Sequence, residues 1–99
     1  MNRFEFVNMD NNETYYLDFE QEEEKLGGSM VAYVCSLESG YSIEQVSDSG
    51  LFHESPAMYC WDACAGFYDY DINHISTEDA KEILEGMGWS FKDLKPFVK

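Results

Sequence analysis

Two short alternating segments near the start of the chain predict a β-hairpin. In residues 3–7, Phe4 and Phe6 fall on one face while the neighbouring positions fall on the other, which is the period-two pattern of a strand. Residues 13–19 alternate in the same way. The Asn- and Asp-rich stretch at 8–12 between them predicts a turn, because these side chains bond nearby backbone and tolerate positive φ.

A third strand is predicted from Met30 to Leu37, which is apolar and rich in β-forming residues. The pair Gly27-Gly28 marks a turn just before it. The stretch from Glu38 to Gly50 is rich in Ser and Gly, so we interpret it as a loop with one helical turn.

The second half of the chain has helical spacing. Ser55-Pro56 is typical of a helix start. The apolar residues that follow it are spaced for one buried helical stripe: Ala57, Trp61, Cys64, Ala65 and Tyr68.

Two more helices are predicted towards the C-terminus. Ser76 is placed to cap a helix that carries acids in its first turn and ends at Gly86 or Gly88. Ser90 is placed to cap a last short helix that carries Phe91 and Leu94. The predicted fold class is therefore α+β: one domain, 1–99, with a three-stranded antiparallel sheet (the hairpin plus the third strand) and two or three helices in the C-terminal half.

Charge changes this picture more than composition does. The formal net charge is −14, and the stretch from Phe4 to Ala80 holds 17 acidic residues but only one basic residue, Lys25. Soluble domains usually intersperse both signs, because uncompensated repulsion disfavours the compact state. With 44% hydrophobic residues the chain is nevertheless expected to fold. This acidity predicts a strongly basic protein partner and argues against direct binding to nucleic acid or to an anionic membrane.

One acidic pattern has regular spacing. Asp18, Glu20, Glu22 and Glu24 alternate along the chain, and on a continued strand they would share one face at about 6.6–6.8 Å intervals. That interval resembles the separation of successive phosphates on a stretched strand of nucleic acid. The alternative interpretation is a solvated loop without a ligand. Glu78, Glu82 and Glu85 have a comparable spacing on a helix, although Lys81 interrupts them.

A second pattern interleaves rings and carboxylates between Met58 and Asp71. Tyr beside Asp suits an incoming arginine, which stacks on the ring and bonds the carboxylate. The alternative interpretation is that these rings build the core. Together the two patterns predict ten partner-binding residues: Asp18, Glu20, Glu22, Glu23, Glu24, Tyr59, Asp62, Asp69, Tyr70 and Asp71.

Metal, cofactor and catalytic chemistry have little support. Cys60, Cys64, His53 and His74 match no zinc-finger spacing, so no metal site or cofactor is expected. The segment from Asp69 begins like a calcium loop but has His74 where that loop needs glycine. No phosphate loop or nucleophile motif is present, and we expect no enzyme. The start of the chain is unlike a signal peptide, and the odd number of cysteines, three, indicates reduced thiols in a cytoplasmic protein.

In size, composition and its acid-rich segments, Asp18–Glu24 and Asp62–Asp71, the chain resembles the anti-CRISPR and anti-restriction proteins of phages and other mobile elements. The resemblance implies a stoichiometric inhibitor in a bacterial host cell that occupies the basic nucleic-acid channel of a CRISPR effector or restriction enzyme. The same charge fits an immunity or antitoxin protein that neutralises a basic nuclease toxin. It also fits an acidic interaction module with no inhibitory role.

Overall fold

In the part of the chain that the structure describes, five antiparallel strands form a single sheet. The computed structural model describes residues 3–21, 30–47, 50, 52–67 and 70–97, and at 21, 53 and 60–67 it describes the backbone alone. The strands are β1 (Arg3–Asn8), β2 (Glu13–Gln21), β3 (Met30–Leu37), β4 (Met58–Phe67) and β5 (Phe91–Pro96). The helices are α1 (Ile43–Ser47) and α2 (Thr77–Met87), with 3₁₀ turns at Phe52–Glu54 and Ile72–His74.

The strand order is β4-β3-β2-β1-β5, which places β2 at the centre and β4 and β5 at the two edges. The predicted hairpin is present, with Asn8 opposite Glu13, and β3 pairs with β2 from Tyr15↔Ser36 to Gln21↔Met30. The predicted fold class, a three-stranded sheet with two or three helices after it, is wrong. The sheet has five strands, and α2 is the one helix of more than five residues among the described residues.

The helix predicted after Pro56 is instead strand β4, which is paired with β3 from Leu37↔Met58 to Met30↔Phe67. The register shifts twice along this pair, and at each shift β4 contributes one extra residue. Such bulges break the period-two alternation of a strand. The apolar spacing of β4 therefore resembled that of a helix.

The short helix predicted after Ser90 is strand β5, and the cause is the same. Glu5 pairs with Lys95 and Val7 with Lys92, so β5 carries one extra residue opposite β1. Asp93 lies in this bulge with φ of 56°. By contrast, the predicted helix after Ser76 is confirmed as α2, where the Ser76 hydroxyl accepts from the backbone N–H of Asp79 and Gly88 forms the left-handed C-cap.

Both faces of the sheet are covered, and each has its own core. On one face α2 packs over β1, β2 and β3, and we call this the helix-side core. Its buried residues include Phe4, Phe6, Leu17, Phe19, Ala32, Val34, Ala80, Ile83 and Leu84. On the other face α1, the first 3₁₀ turn and the C-terminal segment pack on β2 and β3, and we call this the opposite core. Its buried residues are Tyr16, Cys35, Val46, Phe52, Ala57, Met58 and Phe97.

Candidate functional site

Asp18, the first residue of the predicted acidic row, is in the interior and does not face a partner. Its side chain is 1% exposed, because β2 is the central strand and the opposite core covers this face. Its Oδ1 accepts from its neighbour's amide, Phe19 N, at 3.0 Å, and its Oδ2 accepts from Phe52 N at 3.0 Å. Asp18 therefore anchors the segment that covers the sheet, and it is removed from the predicted partner-binding set.

Arg3 compensates the buried charge of Asp18. Its Nε lies 3.5 Å from Asp18 Oδ1, across the β1–β2 register pair that these two residues form. Its guanidinium also stacks on the ring of Phe52, with Cζ 4.3 Å from the ring centroid. One of the few cations of the chain is thus paired within the protein, and the pair contributes no net charge to the surface.

The remaining part of the predicted row does not form a continuous strand face in the described residues. Glu20 lies on β2, is half-buried and already has an interaction within the protein. Glu22, Glu23 and Glu24 lie outside the described residues. The regular carboxylate spacing predicted on an extended strand is therefore not what the described part of β2 presents.

Helix α2 carries the regular acidic row instead. Ala80, Ile83 and Leu84 are buried in the helix-side core, so the opposite side of the helix faces solvent. Three glutamates on that side are exposed, at positions 78, 82 and 85, and they lie about 4.5 to 6 Å apart along the axis. Lys81 is the one basic residue of the helix.

Tyr70 and Asp71 lie beside this row. The hydroxyl of Tyr70 donates to Glu82 Oε2 at 2.9 Å, while its ring packs partly on the helix-side core. Asp71 is exposed, and its Oδ1 accepts from Asn73 N at 2.9 Å, which caps the second 3₁₀ turn. We call Tyr70, Asp71, Glu78, Glu82 and Glu85 the acidic helix surface.

Tyr59 is paired with a carboxylate in a different place. It is 55% exposed near the start of β4, and its hydroxyl donates to Glu38 Oε1 at 3.3 Å. Glu38 begins the turn after β3, where Tyr41 N donates to Glu38 O at 3.3 Å and Gly40 has φ of 96°. Tyr41 is 50% exposed. We call Glu38, Tyr41 and Tyr59 the tyrosine patch.

The sequence analysis did not predict Glu38 and Tyr41, because no acid is adjacent to Tyr41 and no ring is adjacent to Glu38 along the chain. The signal in the sequence was the Gly40 turn, which brings residues three apart into proximity.

The last two predicted residues lie in or after β4. Asp62 is opposite Val34 in the sheet register, and the structure describes only its backbone. Asp69 lies outside the described residues.

Those predicted residues whose side chains the structure describes do not converge on one compact site. Tyr59 is near the start of β4, roughly 25 Å along the strand from its end at Phe67, and Tyr70 follows that end. Tyr59 nevertheless lies on the same side of the sheet as α2, because its register partner Ser36 is opposite Tyr15, which belongs to the helix-side core. One face of the molecule thus carries both tyrosine–glutamate pairs.

The basic residues are unevenly distributed over the described part of the molecule. The basic residues in the described part of the chain are Arg3 in β1, Lys81 in α2, and Lys92 and Lys95 in β5. Strands β2, β3 and β4 carry none. Lys95 Nζ lies 3.3 Å from Glu5 Oε1, so it also compensates an acid of the neighbouring strand. The sheet is therefore electrostatically one-sided, with cations at the β5 edge and none at the β4 edge.

Other chemistry gains no support from the described residues. They contain no group of three or more His, Cys, Asp or Glu side chains placed to hold a metal ion. Cys35 is buried in the opposite core. Within the same residues, no helix combines the length and the apolar character needed to cross a membrane.

Comparison with known proteins gave no assignment. No family model matches the chain, and searches of curated proteins and of solved structures found no similar protein.

Proposed function

We propose that this protein is a stoichiometric inhibitor that acts in the cytoplasm of a bacterial host. Its acidic surface occupies the basic nucleic-acid-binding channel of a defence nuclease, with a CRISPR effector or a restriction enzyme as the favoured partner. The observation that carries the proposal is the acidic helix surface, a regular row of exposed glutamates on a helix that packs against the sheet.

Electrostatics supports this mechanism. A channel lined by Lys and Arg binds nucleic acid by neutralising phosphates and releasing counterions. Carboxylates held at comparable intervals on a folded scaffold can make the same contacts without the cost of ordering a flexible chain. Arg3 and Lys95 are each paired with a carboxylate of the protein, which leaves few unpaired cations among the described residues to oppose such contacts.

A competition assay tests the proposal. Purified CRISPR effectors and restriction enzymes are incubated with increasing amounts of the protein, and cleavage of labelled DNA is measured with and without nucleic acid preloaded on the enzyme. We expect inhibition that saturates near one protein per site, weakens as salt rises and is blocked by preloading. Inhibition that persists with preloaded enzyme and is independent of salt would contradict mimicry.

A pair of charge reversals separates the proposed surface from overall acidity. Glu78→Lys with Glu82→Lys reverses two charges on the acidic helix surface. Glu44→Lys with Glu54→Lys reverses two exposed charges on the side of the opposite core, with the same change in net charge. The first pair is expected to weaken inhibition at least about tenfold and the second pair much less, mainly through the association rate. Equal effects of the two pairs would show that α2 is not the binding surface.

A further inference from the structure

The three large apolar or aromatic side chains that stand out as exposed among the described residues lie at one end of the sheet. Met9 is 58% exposed in the β1–β2 turn, Tyr41 is in the turn after β3, and Tyr59 is near the start of β4. Exposed apolar groups are ordinary when scattered singly. An exposed ring that donates to a carboxylate, with a second exposed ring on the same turn, is a more specific arrangement, because it combines stacking surface with a charge.

The geometry of the tyrosine patch restricts what it can bind. The turn is held by two backbone hydrogen bonds, from Tyr41 N to Glu38 O at 3.3 Å and from Glu38 N to Ala57 O at 2.6 Å. Glu38 is half-buried, and one of its oxygens accepts from the hydroxyl of Tyr59. The carboxylate is therefore oriented before binding, and Oε2 remains to accept from a ligand.

The charge around the patch favours a cation. Strands β2, β3 and β4 carry no Lys or Arg. The lysines of β5 are four strand spacings from β4, about 19 Å across the sheet. That distance is more than twice the Debye length of about 8 Å at physiological salt, so these lysines compete weakly for Glu38.

We propose that Glu38, Tyr41 and Tyr59 form a recognition site for an arginine side chain of the basic partner. A guanidinium is planar. Its face can therefore stack on a tyrosine ring while the N–H groups at its edge donate to the carboxylate. An ammonium group is a compact, strongly hydrated point charge and gains less from the same two groups. The site therefore prefers arginine to lysine. This inference rests on the proposed function only in taking the partner to be a basic protein.

The Tyr70–Glu82 pair provides a matched control. It has the same residue types and a similar hydrogen bond of 2.9 Å. The Tyr70 ring, however, packs partly on the helix-side core, whereas Tyr59 is 55% exposed. Glu82→Gln removes the same charge as Glu38→Gln without touching the tyrosine patch.

The experiment uses two synthetic peptides of equal length and charge, one with four arginines and one with four lysines in a Gly/Ser background. Binding to the full chain is measured by NMR titration and calorimetry at about 150 mM NaCl. We expect the arginine peptide to bind about tenfold more tightly, with the largest shifts at Glu38, Tyr41 and Tyr59. Glu38→Gln and Tyr59→Ala should abolish the preference, while Tyr59→Phe, which keeps the ring, and Glu82→Gln should retain it.

Equal affinities for the two peptides, no binding of either, or loss of the preference in Glu82→Gln would overturn the arginine site. The NMR spectrum of each variant confirms that it is folded. The outcomes remain distinct from those of the competition assay. An arginine preference without nuclease inhibition supports the site and refutes the proposed function, whereas inhibition with equal peptide affinities does the reverse.

Discussion

The side chain that most constrains this fold is Asp18, a carboxylate that is 1% exposed at the centre of the sheet. A buried charge is tolerated only when it is paired and hydrogen-bonded. Arg3 supplies the opposite charge, and the amide of Phe52 supplies a hydrogen bond from a residue 34 positions away. Asp18 therefore joins the first strand, the central strand and the segment that covers the opposite core.

Replacement of Asp18 by Asn should destabilise the protein by about 2 to 4 kcal/mol. Arg3 loses its counter-charge, and the NH2 group of Asn replaces one of the two oxygens that accept from the backbone N–H groups of Phe19 and Phe52. The free energy of unfolding is measured by urea denaturation. Asp10→Asn is the control. Because Asp10 is exposed, this replacement should alter the free energy of unfolding by less than about 0.5 kcal/mol. A stable Asp18→Asn variant with weakened partner binding would instead restore Asp18 to the binding surface.

Tyr16 should make stability depend on alkaline pH. Burial, together with the negative charges of Glu5 and Glu44, raises the pKa of Tyr16 from 10.0 to about 12. The unfolded chain therefore loses this proton first, so stability is fully present below about pH 10 and falls as pH rises to about 12. We expect a loss of up to about 2 kcal/mol across that range, measured by urea denaturation.

Tyr16→Phe is the control for this pH dependence, because it removes the titrating hydroxyl and keeps the ring contacts with Phe52 and Phe97. The difference in stability between wild type and Tyr16→Phe should change with pH above about 10 and be constant below it. A difference that is constant up to pH 12 would show that the hydroxyl titrates normally.

At the scale of elements, the two segments misinterpreted as helices share one physical cause. Both β4 and β5 are edge strands that carry bulges, and each bulge adds a residue that shifts the alternation of side chains. Phe91 and Leu94, three residues apart, have helical spacing in the sequence because Asp93 is the extra residue. α2 was predicted correctly because its capping box and its C-terminal glycine act locally.

The β5 bulge holds Asp93 at a φ of 56°, which is unfavourable for most residues with a Cβ. Asp93→Gly should be neutral or stabilise the protein by up to about 1 kcal/mol, whereas Asp93→Val should destabilise it by about 1 to 2 kcal/mol. Thermal and urea denaturation measure both effects. Lys92→Gly, in the same strand, should be destabilising by about 1 kcal/mol. An Asp93→Gly change that costs as much as Lys92→Gly would argue against the bulge.

For the whole molecule, a net charge of −14 on 99 residues means that folding brings like charges together. Raising NaCl from about 0.01 to 0.15 M shortens the Debye length from about 30 to 8 Å, so it should stabilise the fold, on the order of 1 kcal/mol. Thermal denaturation across this range measures the effect. The affinity for a basic partner should instead decrease as NaCl is raised, because salt screens the attraction between opposite charges.

The control for this prediction is Glu78→Lys with Glu82→Lys, which reduces the magnitude of the net charge by four from −14 and should reduce the stabilisation by salt. Stability that falls with added salt in the wild type would show that attractive ion pairs such as Lys95–Glu5 outweigh the repulsion.

The sequence alone determined the features that depend on neighbours along the chain. The hairpin, β3 and α2 follow from alternation, turn chemistry and capping, and the charge imbalance follows from composition. Tertiary structure decided the rest. The pairing of β4 and β5 at the sheet edges overrode their helical spacing, because bulges are defined only against a partner strand. Coverage of both sheet faces buried Asp18. The pairing of β3 with β4 brought Glu38 and Tyr59 together across 21 residues, which no spacing rule along the chain can detect.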